Sequence, residues 1–233
     1  MARLDLDSDL LEYIVAKGFQ AGERLPTISE LQAEEHLGIS ISKVREQLEV
    51  ARALGIVEVR SKTGMRLREY SFTPAVRLSL FYALSANPQL FEAFSEMRNH
   101  LELAFWNEAC EQLTNEDRAV MQECILAARS KLNLNNTHIQ IPNDEHRAFH
   151  LRVFKRLENP FVLGVLEAYW DAYEAVEINR YADYDYHTLV WDYHERILDA
   201  ICAGDYERGK ELFLAHTRLR YHPNLTPAVE MKP

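Results

Sequence analysis

The sequence predicts a mainly α-helical protein, with an N-terminal winged helix-turn-helix followed by an all-helical bundle of six or seven helices. Residues 21–68 contain two short helical patterns around a Gly-Ile-Ser turn and then two β-like runs, which is the element order of a winged helix-turn-helix. After residue 73 the apolar periodicity is helical throughout. We therefore expect a first domain at residues 1–70 and a second at residues 74–222.

Two helices are predicted to open the N-terminal domain. The first covers Leu4–Val15, and Gly18 ends it. The second covers Thr27–His36, because Thr27 with Glu30 three residues later has the spacing of a capping box.

The third helix is predicted to begin after Ser40, whose side chain can cap it. Apolar residues recur along it at i, i+4 and i+7 and predict a buried stripe of Val44, Leu48 and Ala51. Ile56–Arg60 and Met65–Arg68 are predicted to be the two strands of a wing, with Gly64 between them allowing a tight turn.

Prolines and capping residues divide the rest of the chain into helices. Pro74 suits the first turn of one helix, and Pro88 separates it from the next. Thr114 with Asp117 repeats the capping-box spacing. Further helices are predicted at Leu90–Gln112, Asp144–Leu157, Pro160–Asn179, Asp185–Ala203 and Asp205–Tyr221. An Asn-rich loop is expected at residues 134–142, and a loose tail over the last dozen residues.

The composition excludes several classes of protein. Hydrophobic residues make up 47% of the chain, which favours a folded core. The apolar runs are too short to span a bilayer or to act as a signal peptide, so we expect a cytoplasmic protein with no membrane partner. The cysteines are three in number and lack CxxC spacing, which argues against a disulfide framework or a cysteine-based zinc site.

Positive charge is concentrated in one segment of an acidic chain. The formal net charge is −10, yet residues 40–68 carry seven Lys or Arg and three Glu, a local charge of +4. Because the local sign of charge governs approach to phosphate, the third helix and the wing are predicted to face nucleic acid.

The predicted DNA contacts follow from this placement. The second helix of a helix-turn-helix is the element that enters a major groove, where Arg and Lys reach guanine edges and phosphates. The residues expected to contact DNA are Ser40, Ser42, Lys43, Arg45, Arg60, Lys62, Gly64 and Arg66. The alternative is a helix-turn-helix that serves only dimerisation.

A longer string resembles the GntR family of bacterial transcription regulators. The matching residues are Gly22, Leu25-Pro26, Glu30-Leu31, Leu37-Gly38-Ile39-Ser40, Val44-Arg45-Glu46, Leu48, Leu54-Gly55-Ile56 and Gly64. Two customary DNA contacts differ, since Ile41 stands where the family has Arg and Ser29 where it often has a basic residue. The resemblance implies a dimer that binds double-stranded operator DNA, with an unusual operator sequence or lower affinity.

Eight of the nine histidines lie after residue 99. His146 and His150 are four apart and share one helix face. If residues 203–205 form a tight turn, His194 and His216 lie level on antiparallel helices, ten residues before and twelve after Gly204. Imidazole suits zinc and nickel, while the alternative is ordinary core or solvated histidines. We assign surface or structural roles to His100, His138, His187 and His222.

The helical region resembles the ligand-binding domain of the FadR-like GntR branch, called the FCD domain. Its hallmark is Asp-x-x-x-His on one helix and single histidines on two later helices. His150, His194 and His216 match, but His146 stands at the Asp position. The resemblance implies a divalent transition-metal site made of these four histidines, which favours zinc or nickel because a carboxylate is replaced by a nitrogen ligand. The alternative is a metal-free polar pocket.

Arg98 and Glu102 match a further family pattern, Arg-x-x-x-Glu on an early helix of the same domain. The resemblance implies that Arg98 grips the carboxylate of a small organic-acid effector. The alternative is an i, i+4 ion pair on a solvated helix face.

These observations predict a homodimeric transcription regulator, not an enzyme, whose operator affinity responds to a small carboxylate. One alternative is a metal-dependent hydrolase with an incidental helix-turn-helix, for which Asp144 and Glu145 are the nearby general-base candidates. The sequence lacks HExxH, GxSxG and a phosphate-binding Gly loop. A structural DNA-bridging protein is a third interpretation.

Overall fold

The computed structural model describes residues 4–33, 35–62, 64–133, 140–176 and 184–219. These ranges are mainly α-helical, as predicted, with one two-stranded sheet. In chain order the elements are α1 (Asp9–Lys17), α2 (Ile28–Gln32), α3 (Ile41–Ala53), β1 (Val57–Arg60), β2 (Gly64–Leu67), α4 (Thr73–Ala86), α5 (Leu90–Glu111), α6 (Asn115–Asn133), α7 (Asn143–Phe154), α8 (Pro160–Ala175), α9 (Tyr184–Cys202) and α10 (Tyr206–Thr217).

The described residues form two compact units. The first comprises those of Met1–Leu90 together with Asn159–Tyr169, and the second those of Phe91–Glu158 together with Trp170–Pro233. Helix α4 and the first part of α8 therefore belong to the same unit as α1, α2, α3 and the sheet. Seven described helices follow the wing, which agrees with the predicted number.

Helix α1 begins at Asp9, so the predicted start at Leu4 is wrong. The Ser8 side chain accepts a hydrogen bond from the Leu11 backbone N–H at 3.3 Å and caps the helix there. Asp7 has a φ of +49°, a left-handed conformation that a right-handed helix does not contain.

Helix α2 starts as predicted but is shorter than predicted. The capping box forms, because the Thr27 N–H donates to Glu30 at 2.6 Å and the Glu30 N–H donates to the Thr27 hydroxyl at 3.3 Å. The helix ends at Gln32 rather than at His36, since the next residue, Ala33, is extended with φ −61° and ψ 146°.

The wing is an antiparallel pair in which Val57 lies opposite Leu67 and Arg60 opposite Gly64. Gly64 begins β2 instead of lying between the strands, and its φ of +75° is favoured by glycine. The backbone of Leu25 donates to Met65 at 2.9 Å, so the segment before α2 runs beside β2.

An apolar core holds α1, α2, α3 and the sheet together. The predicted stripe of α3 is buried in it, as are residues from the helices and strands around it: Leu10, Tyr13, Ile14, Leu25, Leu31, Val44, Leu48, Ala51, Val57 and Met65. Because α3 buries one face in this core, its other face remains at the surface.

Helix α6 of the second unit starts with the predicted capping box. The Thr114 N–H donates to Asp117 at 2.9 Å, and the Asp117 N–H donates to the Thr114 hydroxyl at 3.3 Å. Asp117 is fully buried and also accepts hydrogen bonds from Arg152 and Arg156. The cap of one helix is therefore joined to residues at the end of α7 and just beyond it.

A tight turn connects α9 to α10, as predicted from the sequence. Gly204 has a φ of +74°, and the Asp205 N–H donates to Ala200 O at 2.9 Å. Asp205 then caps α10 by accepting from the Arg208 N–H at 3.0 Å. The ends predicted at Asn179 and Tyr221, residues 134–139 of the Asn-rich loop, the tail, His138 and His222 lie outside the described residues.

Candidate functional site

Helix α3 presents polar residues because of how it is capped and buried. The Ser40 hydroxyl accepts from the Lys43 N–H at 3.2 Å, which confirms the predicted cap. With Val44 and Leu48 buried, Ser42, Lys43 and Arg45 are exposed in the first turns of the helix. The surface of α3 is therefore open to a ligand over the turns where base contacts were predicted.

A hydrogen-bond network that sequence reasoning missed connects α1 to α3. Gln47 accepts from the Leu10 N–H at 2.8 Å and donates to the Asp9 carboxylate at 2.8 Å. The same carboxylate lies 2.9 Å from the Lys43 ammonium. No local sequence pattern marks this network, because Gln47 and its partners on α1 are 37 and 38 residues apart.

The predicted cations of the wing differ in how exposed they are. Arg60 and Lys62 are exposed, whereas Arg66 is half-buried and donates to Gly22 O at 2.6 Å. Arg24, which was not predicted, is exposed beside β2, and its guanidinium lies 3.4 Å from where a side chain on Gly64 would begin. No motif spacing marks Arg24, because it is distant in sequence from the wing and only folding brings it next to Gly64.

The four predicted histidines come together inside the second unit. His146 and His150 lie on α7, His194 on α9 and His216 on α10, and one nitrogen from each lies within 4.8 Å of the others. His150 Nε2 is 3.1 Å from His194 Nε2, and the rings of His194 and His216 are centred 4.5 Å apart. The tight turn after α9 thus brings two distant histidines level with each other.

These imidazoles are buried and electrically neutral. Burial holds the pKa of His146, His150 and His194 well below the ordinary value, and burial together with nearby Arg98 lowers the pKa of His216 to about 3. Neutral imidazole is the form that binds metals.

Several ring nitrogens lack hydrogen-bond partners among the described residues, namely Nε2 of His146, Nδ1 of His194 and both nitrogens of His216. Buried polar atoms are normally satisfied, so these nitrogens point to a missing ligand. Zinc bonds to imidazole at about 2.0–2.1 Å in a tetrahedral arrangement, so its ligand nitrogens are about 3.4 Å apart. One nitrogen of each histidine already lies within 4.8 Å of the others, close to this spacing, and the residues present therefore fit a divalent ion.

Because His146 stands at the family's Asp position, all four candidate ligand atoms of the cluster are nitrogens. His146 is buried with the other three histidines, whereas Asp144 is exposed and does not join them. Glu145, the other general-base candidate for a hydrolase, forms an ion pair with Lys131 at 2.7 Å. Aromatic side chains pack around the cluster: Phe149, Trp170, Trp191 and Phe213.

Arg98 and Glu102 form a buried ion pair beside the cluster, so the alternative of a solvated helix face is wrong. Arg98 Nε lies 2.8 Å from Glu102 Oε2, and the two side chains are 5% and 0% exposed. Arg98 Nη2 is also 3.1 Å from His150 Nδ1, and its Nη1 donates to Asn99 at 3.0 Å. Burial raises the pKa of Glu102 to about 7, although Arg98 opposes the shift.

The other described histidines lie outside this group. His187 is buried on α9, while His100 is exposed on α5, where its ring is 2.8 Å from Glu96 O. Within the described ranges, no helix has the length and apolar character that crossing a bilayer requires.

Comparison with known proteins finds similarity over most of the chain. The FCD domain profile matches residues 93–219, more than half of the chain. The HTH-type transcriptional regulator LutR of Bacillus subtilis (strain 168) is 25% identical over 203 residues, covering 84% of this chain and 88% of LutR.

The fold of this chain is also found in a solved structure. Streptococcus agalactiae GntR aligns with a TM-score of 0.60 at 17% identity, over 90% of this chain and 94% of that chain. E. coli McbR/YncC aligns with a TM-score of 0.49 at 21% identity, over 94% and 95% of the two chains. The FCD-domain match and the similarity to LutR give no support to the hydrolase alternative. The chain belongs to the GntR family of transcription regulators, in the group with an FCD domain, and is a DNA-binding regulator with an effector-binding domain.

Proposed function

We propose that this regulator is a cytoplasmic homodimer whose operator affinity is set by a small organic acid bound next to a divalent metal ion. Residues 1–70 bind DNA, and residues 74–222 bind the acid and the metal and form the dimer. Two heads related by a two-fold axis suit the half-sites of a near-palindromic operator.

The proposed DNA contacts are Ser40, Ser42, Lys43, Arg45, Arg60, Lys62, Gly64 and Arg66, with Arg24 added from the fold. Exposure supports the first six, because their side chains are open to a duplex. Arg66 contributes mainly by holding the wing against the Gly22 backbone. Arg45 is the proposed base-reading residue, since Ile41 has replaced the other customary Arg.

The convergence of four buried neutral imidazoles carries the metal proposal. His146, His150, His194 and His216 would hold one zinc or nickel ion. When bound, the ion would supply a Lewis acid for the carboxylate oxygens of the effector. Arg98, buried next to His150, would pair with the same carboxylate.

The acid can change operator binding only through different affinities for the DNA-competent and incompetent arrangements of the dimer. An operator selected from random DNA, titrated by fluorescence anisotropy with a panel of small mono- and dicarboxylic acids, tests this point. We expect at least one acid to change operator affinity about tenfold, which corresponds to an ordinary coupling free energy. Unchanged affinity across the panel would contradict effector control.

Metal content tests the cluster directly. Purified wild-type protein, incubated with zinc or nickel and dialysed, should retain about one ion per chain. The His194→Gln variant should retain little. The His187→Gln variant changes a buried histidine of the same helix outside the cluster and should retain as much as the wild type. A wild-type protein that retains no ion would reject the metal proposal.

A further inference from the structure

We infer that Arg98 makes binding of the acid and binding of the metal depend on each other. Arg98 forms a hydrogen bond to His150, and this bond must break before His150 can bind a metal. The inference deepens the proposed function and rests on it. It assigns to Arg98 a second role, that of setting the position of the proton on His150.

The proton positions follow from which groups can donate. Arg98 Nη2 lies 3.1 Å from His150 Nδ1, and a guanidinium has only donors, so Nδ1 must accept. A neutral imidazole carries one N–H, which therefore sits on Nε2 of His150. That atom is 3.1 Å from His194 Nε2 and donates to it.

Neither nitrogen of His150 is then ready to bind a metal. A metal needs the lone pair of the ring, and Arg98 is using the one on Nδ1. Binding through Nε2 requires the ring proton to move from Nε2 to Nδ1, where the new N–H would face the guanidinium, donor against donor. By either route the hydrogen bond from Arg98 to His150 must end.

Glu102 can accept a hydrogen bond from the Nδ1–H that this proton shift creates. Its Oε1 lies 3.9 Å from His150 Nδ1, too far for a hydrogen bond with Arg98 in place. Once the guanidinium withdraws, a Nδ1–H···Glu102 bond would fix the metal-binding tautomer, in the manner of the carboxylate–histidine pairs around many metals.

An acidic ligand supplies a reason for Arg98 to withdraw. A carboxylate can take two guanidinium N–H groups at once, which competes with the contacts to His150 and Asn99. Acid bound to Arg98 therefore raises the affinity for metal, and by linkage the metal raises the affinity for the acid by the same factor. An acid that only coordinates the metal would give similar coupling, so the decisive tests are made without acid.

The first test measures zinc affinity by competition with a chromophoric chelator. At pH 8, above the pKa of about 7 of Glu102, the Arg98→Met/Glu102→Gln variant removes one positive and one negative charge and so leaves the net charge of the site unchanged. The amide that replaces the carboxylate keeps an oxygen that can accept from His150 Nδ1. We expect it to bind zinc about tenfold more tightly than the wild type, because the loss of one opposing hydrogen bond is of that size. The Arg98→Met variant should change in the same direction. Equal or weaker zinc binding by the double variant would overturn the inference.

The second test reads the proton directly. Long-range ¹H–¹⁵N spectra of histidine-labelled protein distinguish the two imidazole tautomers. His150 should carry its proton on Nε2 in metal-free wild type and on Nδ1 after zinc is added. A Nδ1–H tautomer in the metal-free protein would overturn the inference. A protein that never binds zinc would instead reject the proposed metal centre, while the metal-free spectrum would still report the tautomer.

Discussion

The two units contain the same capping box in different surroundings. In the first unit Thr27 and Glu30 close the start of α2 at the surface. In the second unit Thr114 and Asp117 close the start of α6, but Asp117 is fully buried and bound by arginines 35 and 39 residues away. A local motif fixes where a helix begins, whereas its energetic weight comes from residues that the fold brings to it.

The charged pairs of the two units differ in the same way. Lys43 and Asp9 are 54% and 44% exposed, so their attraction is screened by salt and easily exchanged for a phosphate. Arg98 and Glu102 are 5% and 0% exposed, so moving or removing one of them would leave the charge of the other buried without a partner. The surface pair suits adjustable DNA affinity, and the buried pair suits coupling between ligands.

The largest effect is expected at the buried cap. Asp117→Asn should lower the free energy of unfolding of the second unit by about 2–3 kcal/mol, because hydrogen bonds to charged groups are of this size and two arginines lose their carboxylate. Urea denaturation followed by circular dichroism measures the loss. A loss below about 1 kcal/mol, as for an exposed cap, would remove the contrast between the units.

The same residue predicts an acid dependence. Burial raises the pKa of the Asp117 carboxyl, but hydrogen bonds from Arg156, Thr114 and Arg152 outweigh burial and hold the pKa well below the ordinary 3.8. Its stabilising contribution is therefore complete above about pH 5, decreases as the pH falls past the ordinary value of 3.8 and is lost as the pH reaches the folded-state pKa.

Thermal unfolding of wild type and Asp117→Asn across pH 7 to pH 3 checks this dependence. The difference between the two proteins should be constant down to about pH 5 and should shrink below about pH 4. A difference that grows on acidification would contradict the sign of the pKa shift.

The exposed surface of α3 is tested next. Arg45→Ala should weaken binding to a selected operator by about 1–3 kcal/mol, the usual loss for a base-reading Arg. Arg52→Ala is the matched control, because Arg52 is also exposed on α3 but pairs with Glu49 at 2.7 Å near the end of the helix. Fluorescence anisotropy should show less than about a threefold change for the control. Equal losses in the two variants would argue against Arg45 as a base contact.

A smaller effect is expected at the exposed cap. Thr27→Ala should lower the free energy of unfolding of the first unit by about 1 kcal/mol, the typical loss for an N-cap. Thr114→Ala provides the direct counterpart in the second unit. If Thr27→Ala lowered the free energy of unfolding more than Thr114→Ala does, burial of Asp117 would not explain why the two capping boxes differ in stability.

The smallest effect concerns the surface pair of Asp9 and Lys43. Asp9→Asn releases the Lys43 ammonium and removes a negative charge near the proposed DNA face. Operator affinity should rise about two- to threefold at low salt, and the gain should disappear at high salt because surface charges are screened. Weaker binding would mean that Asp9 orders Lys43 for DNA.

Periodicity and capping chemistry were sufficient to predict most of the fold. The stripe of Val44, Leu48 and Ala51 and both capping boxes depend on local spacing, and all are confirmed. The predicted start of α1 was wrong because Leu4 continues the apolar pattern, although Ser8 provides the stronger cap. Apolar periodicity alone does not locate a helix start.

The histidine cluster was predictable from helix spacing, from the turn at Gly204 and from a family resemblance. Contacts between residues that are far apart in sequence could not be predicted from spacing. The contact of Arg98 with His150 joins residues 52 positions apart. The links from Gln47 to α1 join residues 37 and 38 apart, and no local pattern encodes either separation.

We propose that burial keeps His146, His150, His194 and His216 neutral and able to hold one metal ion together. Anomalous X-ray scattering at the zinc edge, from crystals of zinc-loaded wild-type protein, tests it most directly. We predict one peak per chain at about 2.0–2.1 Å from a nitrogen of His146, His150, His194 and His216. A peak on other residues, or no peak at the four histidines in zinc-containing crystals, would contradict the proposed metal centre.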